Sequence, residues 1–278
     1  MTSNVALVTG ASAGIGEAVA RRLQDAGFTV YAAARRVDRM AGLRDRGVRT
    51  IALDVTDDAS ARIAIEQIIA EQGRIDMLVN NAGYGSYGAL EDVPLAEAQA
   101  QLDVNVLGLA RMAQLVLPHM REQRSGRIVN VSSMGGNFTT PLGAWYHASK
   151  YAVEAISDAM RMELAPFGID VVVIQPGSIR TEWGAIAADK FLETSGRGVY
   201  RSLAEAVAKT LGNSSLPGAR MTSSPDVVAR AITRAATARR PRTRYRIGFG
   251  AKPLVFAKQI LPDRAFDRLI KWGTGATG

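Results

Sequence analysis

Three side chains in the middle of the chain, Ser133, Tyr146 and Lys150, have the types and the spacing needed to move a proton. Tyr146 and Lys150 are four residues apart in an apolar-periodic segment, so a helix places both on one face. An ammonium beside a phenol favours the phenolate and lowers the phenol pKa from about 10. Ser133 ends a β-branched run, IVNVSS, that is typical of a buried strand. A strand-end hydroxyl facing a phenol suits proton transfer to or from a substrate oxygen.

The Tyr-x-x-x-Lys pair is weak evidence by itself, because a chain with seven Tyr supplies such a pair by chance often enough. A packed ring and a solvated amine are the plain alternative. The elements that would position the three side chains therefore decide between the two interpretations.

Short β-rich runs alternate with helical patterns over the first 180 residues. Continuous Val, Ile and Leu runs separated by helices indicate parallel strands buried on both faces, and right-handed crossovers then give a doubly wound sheet. We predict an α/β fold, a Rossmann-type doubly wound parallel sheet with helices on both faces, in a single domain over residues 1–278. The predicted strands are 5–10, 28–34, 48–54, 75–81, 128–133 and 169–177, and the predicted helices are 14–26, 57–72, 94–121 and 144–164.

A glycine-rich segment, TGASAGIG, lies between the first strand and the first helix. Glycines let the chain turn tightly and approach a pyrophosphate, and the following helix N-terminus supplies N–H groups and a positive dipole end. After the first strand of a βαβ unit, this segment predicts a dinucleotide site rather than a simple turn. Its contributing residues are Gly10, Ser12, Ala13, Gly14, Ile15 and Gly16.

The ends of the next strands indicate which dinucleotide binds. An NAD site would carry an acidic residue after the second strand, but this chain has Arg35, whose fork suits a 2′-phosphate. We therefore predict NADP(H) rather than NAD(H), although a surface arginine is the plain alternative. Asp54 and Val55 end the third strand near the expected adenine edge. Asn81, Ala82 and Gly83 end the fourth strand against the adenosine side.

Composition narrows the function classes. The absence of Cys excludes disulfides and thiol catalysis, and two His have no recognisable metal-site spacing, so we expect no metal. A strand pattern that begins by Val5 leaves no room for a signal peptide, and no run of 18 apolar residues spans a membrane. We therefore expect a cytoplasmic protein.

The net charge of +8 is concentrated in the C-terminal part. From Arg220 onwards there are 13 Lys and Arg against 3 Asp and Glu, and the densest run defines a basic extension from about residue 239. A solvated basic face is favoured over an anionic partner or a membrane surface. Residues 254–272 carry an apolar stripe between basic residues, for which packing on the body or a subunit contact is favoured over membrane-surface contact. No nucleic-acid motif is present, and no nucleic-acid partner is expected.

Taken together, these motifs resemble the short-chain dehydrogenases/reductases, in their single-domain branch. The family's T-G-x-x-x-G-x-G matches 9–16, its N-N-A-G matches 80–83, and its P-G-x-I-x-T matches 176–181. Its active-site Ser, Tyr and Lys fall on Ser133, Tyr146 and Lys150, and its catalytic Asn falls on Asn105. One departure is Ala13, where many NADP-dependent relatives carry a basic residue, which leaves phosphate recognition mainly to Arg35.

The resemblance implies a role for each of these residues. Tyr146 would be the general acid in reduction and the base in oxidation, with Lys150 binding the nicotinamide ribose and lowering the pKa of Tyr146. Ser133 would hold the substrate oxygen, and Asn105 would support a water chain. Further implied cofactor contacts come from Tyr146, Lys150, Pro176, Gly177, Ile179 and Thr181.

The predicted substrate region is a variable lid over about 182–218, where apolar residues alternate with glycines. Together with uncharged walls at 84–89 and 134–142, it predicts a small apolar alcohol, ketone or aldehyde, retinoid-, steroid- or aromatic-like. The lid length and basic tail are similar to the 17β-hydroxysteroid and retinol dehydrogenase branch, although the apolar residues could equally pack on the core. A homo-oligomer, dimer or tetramer, is also expected. A catalytically silent NADP(H)-binding sensor or regulatory protein is the alternative function.

Overall fold

The computed structural model describes residues 3–215 and 221–276, whose strands form one parallel sheet in the order β3-β2-β1-β4-β5-β6-β7. The order reverses between β1 and β4, so the crevice where ligands bind in such sheets opens at their carboxyl ends. The edge strands are β3 and β7. The strand bounds are β1 Val5–Thr9, β2 Thr29–Ala34, β3 Arg49–Ala52, β4 Met77–Asn80, β5 Gly126–Val131, β6 Ile169–Pro176 and β7 Arg244–Ile247.

Helices cover both faces of this sheet, because alternate side chains of each central strand point to opposite sides. In β1, Val5 and Leu7 join one buried cluster, and Ala6 and Val8 join the other. The doubly wound α/β prediction is therefore confirmed. The helix bounds are α1 Gly14–Asp25, α2 Ala41–Arg44, α3 Asp58–Gln72, α4 Leu95–Leu102, α5 Leu109–Gln123, α6 Ala144–Leu164, α7 Glu182–Ser195, α8 Arg201–Ser215, α9 Pro225–Thr237, α10 Ala251–Ile260 and α11 Asp263–Thr274.

Several predicted bounds hold closely. Helix α6 spans the predicted 144–164, and the Asp57 side chain caps α3 by accepting hydrogen bonds from the N–H groups of Ala59 (2.8 Å) and Ser60 (3.2 Å). The predicted strand 128–133 is shorter at its C-terminal end: β5 stops at Val131, and Ser133 is an extended residue that caps a short 3-10 turn. Ser133 therefore lies beyond the strand rather than in it.

The predicted continuous helix 94–121 is interrupted. Helices α4 and α5 are joined by a π-helical turn, Asp103–Gly108, which contains Asn105. Wider turns of this kind insert a residue into a helix without ending it and are frequent at functional sites. The apolar periodicity on either side conceals the insertion from sequence reasoning.

The basic extension contains a strand that the sequence analysis missed. Strand β7 pairs in parallel with β6, with Arg244 opposite Val173 and Arg246 opposite Gln175. Its arginines are not a wholly solvated face, because Arg244 and Arg246 are half-buried against α6 and β6. The residues that bind these side chains are distant in sequence, so the local sequence of the basic extension gives no sign of the strand.

The predicted stripe over 254–272 folds as two helices, α10 and α11, that break at Leu261 and Pro262. Val255, Phe266 and Ile270 are buried in a cluster with Phe138 from the segment after β5. Packing on the body is thus confirmed for this side of the stripe. No helix among the described residues is both long enough and apolar enough to cross a bilayer.

The described part of the predicted lid region consists of α7 and α8 joined by a non-helical segment at residues 196–200. Helices α7 and α8 pack against each other, and their cluster includes Phe191, Ala204 and Val207. Residues 216–218 of the predicted lid lie outside the described residues.

Candidate active site

The turn between β1 and α1 forms a cradle of bare backbone. Gly10 and Gly14 have φ values of +66° and +60°, in the left-handed region that glycine favours. A Cβ added to Gly16 would lie 2.3 Å from the carbonyl oxygen of Gly10, so any side chain there would collide with the turn. The first turn of α1 and this loop can therefore approach a ligand closely, as a pyrophosphate requires.

The side chains of Thr9, at the end of β1, and Asn81, just after β4, hold this cradle in place. The Thr9 hydroxyl accepts hydrogen bonds from the N–H groups of Asn81 and Ala82, both at 3.0 Å. The Asn81 amide donates to the carbonyl oxygens of Thr9 (3.0 Å) and Gly10 (3.2 Å). Polar side chains thus satisfy the backbone groups that the turn leaves unpaired.

A cavity of about 690 Å³ runs along the carboxyl ends of the strands. Its volume and its glycine cradle fit a dinucleotide together with a small substrate. Among the predicted site residues, Gly16 lies behind the cradle and Asn105 lies behind the wall, so neither lines the cavity. The predicted residues that line it are Gly10, Ser12, Ala13, Gly14, Ile15, Arg35, Asp54, Val55, Asn81, Ala82, Gly83, Ser133, Tyr146, Lys150, Pro176, Gly177, Ile179 and Thr181.

Two charged residues that the sequence analysis assigns to the nucleotide, Arg35 and Asp54, both line the cavity. Arg35 lines the cavity, is exposed, and has no ion-pair partner among residues 3–215 and 221–276. Asp54 accepts hydrogen bonds from the N–H (2.9 Å) and hydroxyl (2.7 Å) of Thr56. Although partial burial acts to raise the pKa of Asp54, these bonds and the nearby Arg35 and Arg111 lower it. An ionised acceptor and a free guanidinium therefore lie at this part of the cavity.

Ser133 and Tyr146 meet on the cavity wall. Their hydroxyl groups are hydrogen-bonded, and the Ser133 Oγ also accepts from the N–H of Gly135 at 3.0 Å. Burial raises the pKa of Tyr146, and the hydrogen bond from Ser133 lowers it only in part. The lowered pKa that the sequence predicts for Tyr146 is therefore wrong in direction for this structure. Burial of the phenol therefore decides the direction of the shift.

Lys150 lies one turn beyond Tyr146 on α6 with its ammonium turned toward β5. Its Nζ donates to the carbonyl oxygen of Val131 at 3.1 Å and is 5.9 Å from the centroid of the Tyr146 ring. Burial lowers the pKa of Lys150 to about 8, and the charge of Glu154 opposes this shift. Lys150 is thus a buried, readily titrated cation on the cavity wall.

Asn105 is held by the π-helical turn against the loop after β4. Its Oδ1 accepts from the N–H of Tyr84 at 3.0 Å, and its Nδ2 donates to the carbonyl oxygen of Tyr84 (2.8 Å) and to Ser149 Oγ (3.0 Å). Asn105 therefore fixes the loop that carries Tyr84 to the helix that carries Tyr146 and Lys150.

The wall on the substrate side is aromatic. The Tyr87 ring lies 5.3 Å from the Tyr146 ring and 4.6 Å from the Phe191 ring, measured between centroids. Phe191 is fully buried, and it joins α7 to the site. The predicted walls 84–89 and 134–142 do contribute to the cavity, as do Ile186 and Val207 from the predicted lid. Thr274 at the end of α11 also lines the cavity and was not predicted, because no sequence motif links the tail to the site.

His147 supports the loop that forms this wall. Its Nε2 accepts from the N–H of Thr140 at 3.0 Å, which leaves its Nδ1 to donate to the carbonyl oxygen of Gly135 at 2.9 Å. Burial lowers the pKa of His147, so it is neutral near pH 7. Its part in the site is to hold the segment between Ser133 and α6.

Comparisons with known proteins agree with this geometry. A family model described as short chain dehydrogenase matches residues 4–190. The 3-ketodihydrosphingosine reductase of Bacteroides thetaiotaomicron is 44% identical over 181 residues, which are 65% of this chain and 66% of that protein. The NADPH-dependent 3-dehydrocapnine reductase of Ornithobacterium rhinotracheale is 32% identical over 278 residues, with 95% of each chain covered.

A solved structure extends the likeness to the whole chain. The crystal structure of a short-chain dehydrogenase from Streptomyces avermitilis superposes with a TM-score of 0.81 at 31% identity, covering 99% of this chain and 98% of that one. The family match covers the cradle, Ser133, Tyr146 and Lys150. The chain therefore belongs to the short-chain dehydrogenase/reductase family and is an NAD(P)-dependent oxidoreductase that acts on CH–OH groups.

Proposed function

We propose that this enzyme is an NADP(H)-dependent reductase or dehydrogenase of apolar carbonyl compounds and alcohols. The observation that carries the proposal is the hydrogen-bonded pair Tyr146–Ser133 on the wall of the cavity that also contains the glycine cradle. A proton donor and a nucleotide site in one crevice are what carbonyl reduction needs. We further propose that residues 1–278 act as one domain, with α7 and α8 as its lid.

When bound, the nicotinamide cofactor supplies or accepts the hydride. The protein's part is to place the substrate oxygen and to move its proton. Tyr146 donates that proton in reduction and accepts it in oxidation, while Ser133 holds the oxygen in reach of the phenol. Lys150 places a cation close to the ribose side of the cavity, and Asn105 keeps the Tyr84 loop fixed. A phenol with a raised pKa stays protonated at neutral pH and is ready to donate.

The cofactor preference rests on Arg35. Its side chain is exposed on the cavity wall and has no ion-pair partner in the described chain. A side chain that binds the 2′-phosphate of NADP(H) would be in this state before the cofactor binds. The relative named as NADPH-dependent supports the same assignment. We expect Arg35→Ala to weaken NADPH binding about tenfold or more, since a charge-assisted bond is worth about 1.5–3 kcal/mol. Fluorescence titration would measure the affinity for each cofactor. The affinity for NADH should stay unchanged, and equal losses of affinity for NADPH and NADH would contradict the preference for NADP(H).

The substrate assignment rests on the rings and aliphatic groups around Tyr146. Tyr87, Phe138, Ile186 and Val207 line the cavity beside the proton donor. Two of the relatives are named as reductases of 3-ketodihydrosphingosine and 3-dehydrocapnine, which favours ketones attached to apolar chains. The proposal therefore covers retinoid-, steroid- and aromatic-like carbonyls together with ketones of long apolar chains.

The decisive experiment is NADPH oxidation with a panel of such carbonyls, comparing the wild type with Tyr146→Phe. Loss of the phenol proton should lower kcat about 10²–10⁴-fold while NADPH still binds. Turnover retained by Tyr146→Phe would contradict the mechanism. Tight NADPH binding with no turnover of any carbonyl by the wild type would instead favour the silent sensor.

A further inference from the structure

Four side chains at successive turns of α6 form one polar stripe: Tyr146, Lys150, Glu154 and Asp158. The spacing of four residues places them on one face of the helix. The first two face the cavity, and the last two lie under strand β7. The stripe thus connects the proposed proton donor to the basic extension.

Glu154 is the link between these two halves. It is only 9% exposed, and its carboxylate accepts hydrogen bonds from Gln175 Nε2 and from Arg244 Nε, both at 3.0 Å. A Cβ on Gly136 would lie 2.9 Å from its Cγ, so the segment after β5 confines the side chain from another side. A buried carboxylate with fixed partners is a fixed negative charge one helical turn beyond Lys150 on α6.

Arg244 balances that charge from β7. It donates to Glu154 through Nε and to Asp158 through Nη2, at 2.6 Å, and so spans two turns of α6. Arg246, two residues on, donates to the Oε1 of the buried Gln175 at 3.2 Å and fixes the other partner of Glu154. Both arginines belong to the basic extension, which the sequence predicted to be a solvated face.

We propose that Glu154, clamped by Arg244 and Gln175, is a positioning residue that keeps Lys150 charged at the cofactor cavity. Burial alone would drive Lys150 toward its neutral form, which can neither bind a ribose hydroxyl as a cation nor assist the phenol. Glu154 opposes that loss, and Arg244 limits how strongly it does so. This inference rests on the cofactor-binding role that the proposed function gives Lys150.

Other charged groups around α6 are engaged elsewhere. Arg161 pairs with Asp158, at the far end of the stripe. Arg127 and Asp170, on β5 and β6, pair with each other at 2.7 Å. Glu97 of α4 lies at 3.5 Å from the hydroxyl of Tyr84, whose pKa burial raises to about 12, and His147 is neutral. Glu154 and Arg244 are therefore the charges to vary.

The test is the pH dependence of NADPH affinity, followed by fluorescence between about pH 6.5 and 9.5, which needs no substrate. In the wild type the affinity should fall as Lys150 loses its proton, with a midpoint near its pKa of about 8. Glu154→Gln removes the supporting charge, so the midpoint should move down by about one unit. Arg244→Gln removes a competing cation, so the midpoint should move up. Opposite shifts are not expected of two residues that only stabilise the fold.

Matched variants separate charge from packing. Arg244→Lys keeps the charge, so its midpoint should match the wild type even if its melting temperature falls. Arg242→Gln removes an exposed cation of the same segment that has no ion pair in the described chain, and it should leave the midpoint unchanged. If Glu154→Gln does not fold, Arg244→Gln still carries the test.

Two kinds of failure remain distinguishable. The role of Lys150 in the proposed function would be contradicted by two results together. The NADPH affinity of the wild type would not change around pH 8, and Lys150→Met would bind NADPH as tightly as the wild type. A second result would overturn the role of Glu154 alone. The NADPH affinity of the wild type would fall near pH 8, but Glu154→Gln and Arg244→Gln would leave the midpoint unchanged or move it in the same direction.

Discussion

The glycine cradle and the α7–α8 pair hold opposite sides of the same cavity by different means. The cradle is built from backbone atoms in special conformations, tied by Thr9 and Asn81. The α7–α8 pair reaches the site through apolar side chains, with Phe191 against Tyr87 and Tyr87 against Tyr146. Backbone geometry tolerates almost no substitution, whereas an apolar contact accepts many side chains of similar volume. The first side is therefore suited to one cofactor, and the second to varied substrates.

The largest effect should come from the cradle. Gly16→Val would place its Cβ 2.3 Å from the carbonyl oxygen of Gly10. We expect NADPH affinity to fall by about a thousandfold, equivalent to about 4 kcal/mol, because the turn must open to relieve the overlap. Isothermal titration would measure the loss. Gly42→Ala, with nothing within 4 Å of its added Cβ, is the control and should bind normally.

Phe191→Ala tests the other side. Removing this fully buried ring should cost about 3 kcal/mol of unfolding free energy and raise the substrate KM, because Tyr87 loses its ring partner. NADPH affinity should be unchanged. Leu192→Ala alters the neighbouring residue, which is 43% exposed, and should have a small effect on both quantities. Equal loss of cofactor binding in Phe191→Ala would show that the two sides are not independent.

The loop held by His147 adds a pH test. Because burial lowers its pKa from the ordinary 6.5, the unfolded chain takes up a proton before the folded protein does. Its contribution to stability is complete above pH 6.5 and is lost as the pH falls through the folded-state pKa. We expect the melting temperature to drop by about 2 °C or more between pH 7.5 and 5.5. His147→Gln should weaken this dependence, and His119→Gln should retain it; identical slopes in all three proteins would contradict the assignment.

The smallest effect should come from an ion pair between the short helical turn after β2, residues 37–40, and the start of α7. Arg39 Nη2 lies 3.1 Å from Glu182 Oε1, and the two side chains are 41% and 60% exposed. Such pairs contribute about 0–1 kcal/mol, so Arg39→Gln should shift the melting temperature by about 1 °C or less. A larger shift, or a changed NADPH affinity, would indicate that the start of α7 is coupled to the cofactor side.

Sequence reasoning succeeded where the signal is local. The glycine segment and the periodicity of α6 each depend on neighbouring residues, and the structure has both. It failed where distant contacts decide. Strand β7 pairs with β6, and its Arg244 binds Glu154 and Asp158, which are 90 and 86 residues away in the chain. The pKa of Tyr146 likewise follows from burial in the folded protein. The π-helical turn at Asn105 was hidden because one inserted residue leaves the flanking periodicity intact.

Strand β7 is also an edge strand of the sheet, and basic side chains lie along its edge. An open strand edge is a template for another strand, and proteins protect such edges with charged side chains. Arg242, Arg246 and Lys252 line a groove at this edge, so two copies that approach edge to edge repel each other. Salt screens that repulsion, with a Debye length of about 3 Å at 1 M. Pairing of two copies through their β7 edges should therefore be disfavoured in dilute buffer and become easier in concentrated salt, whatever contacts other faces make.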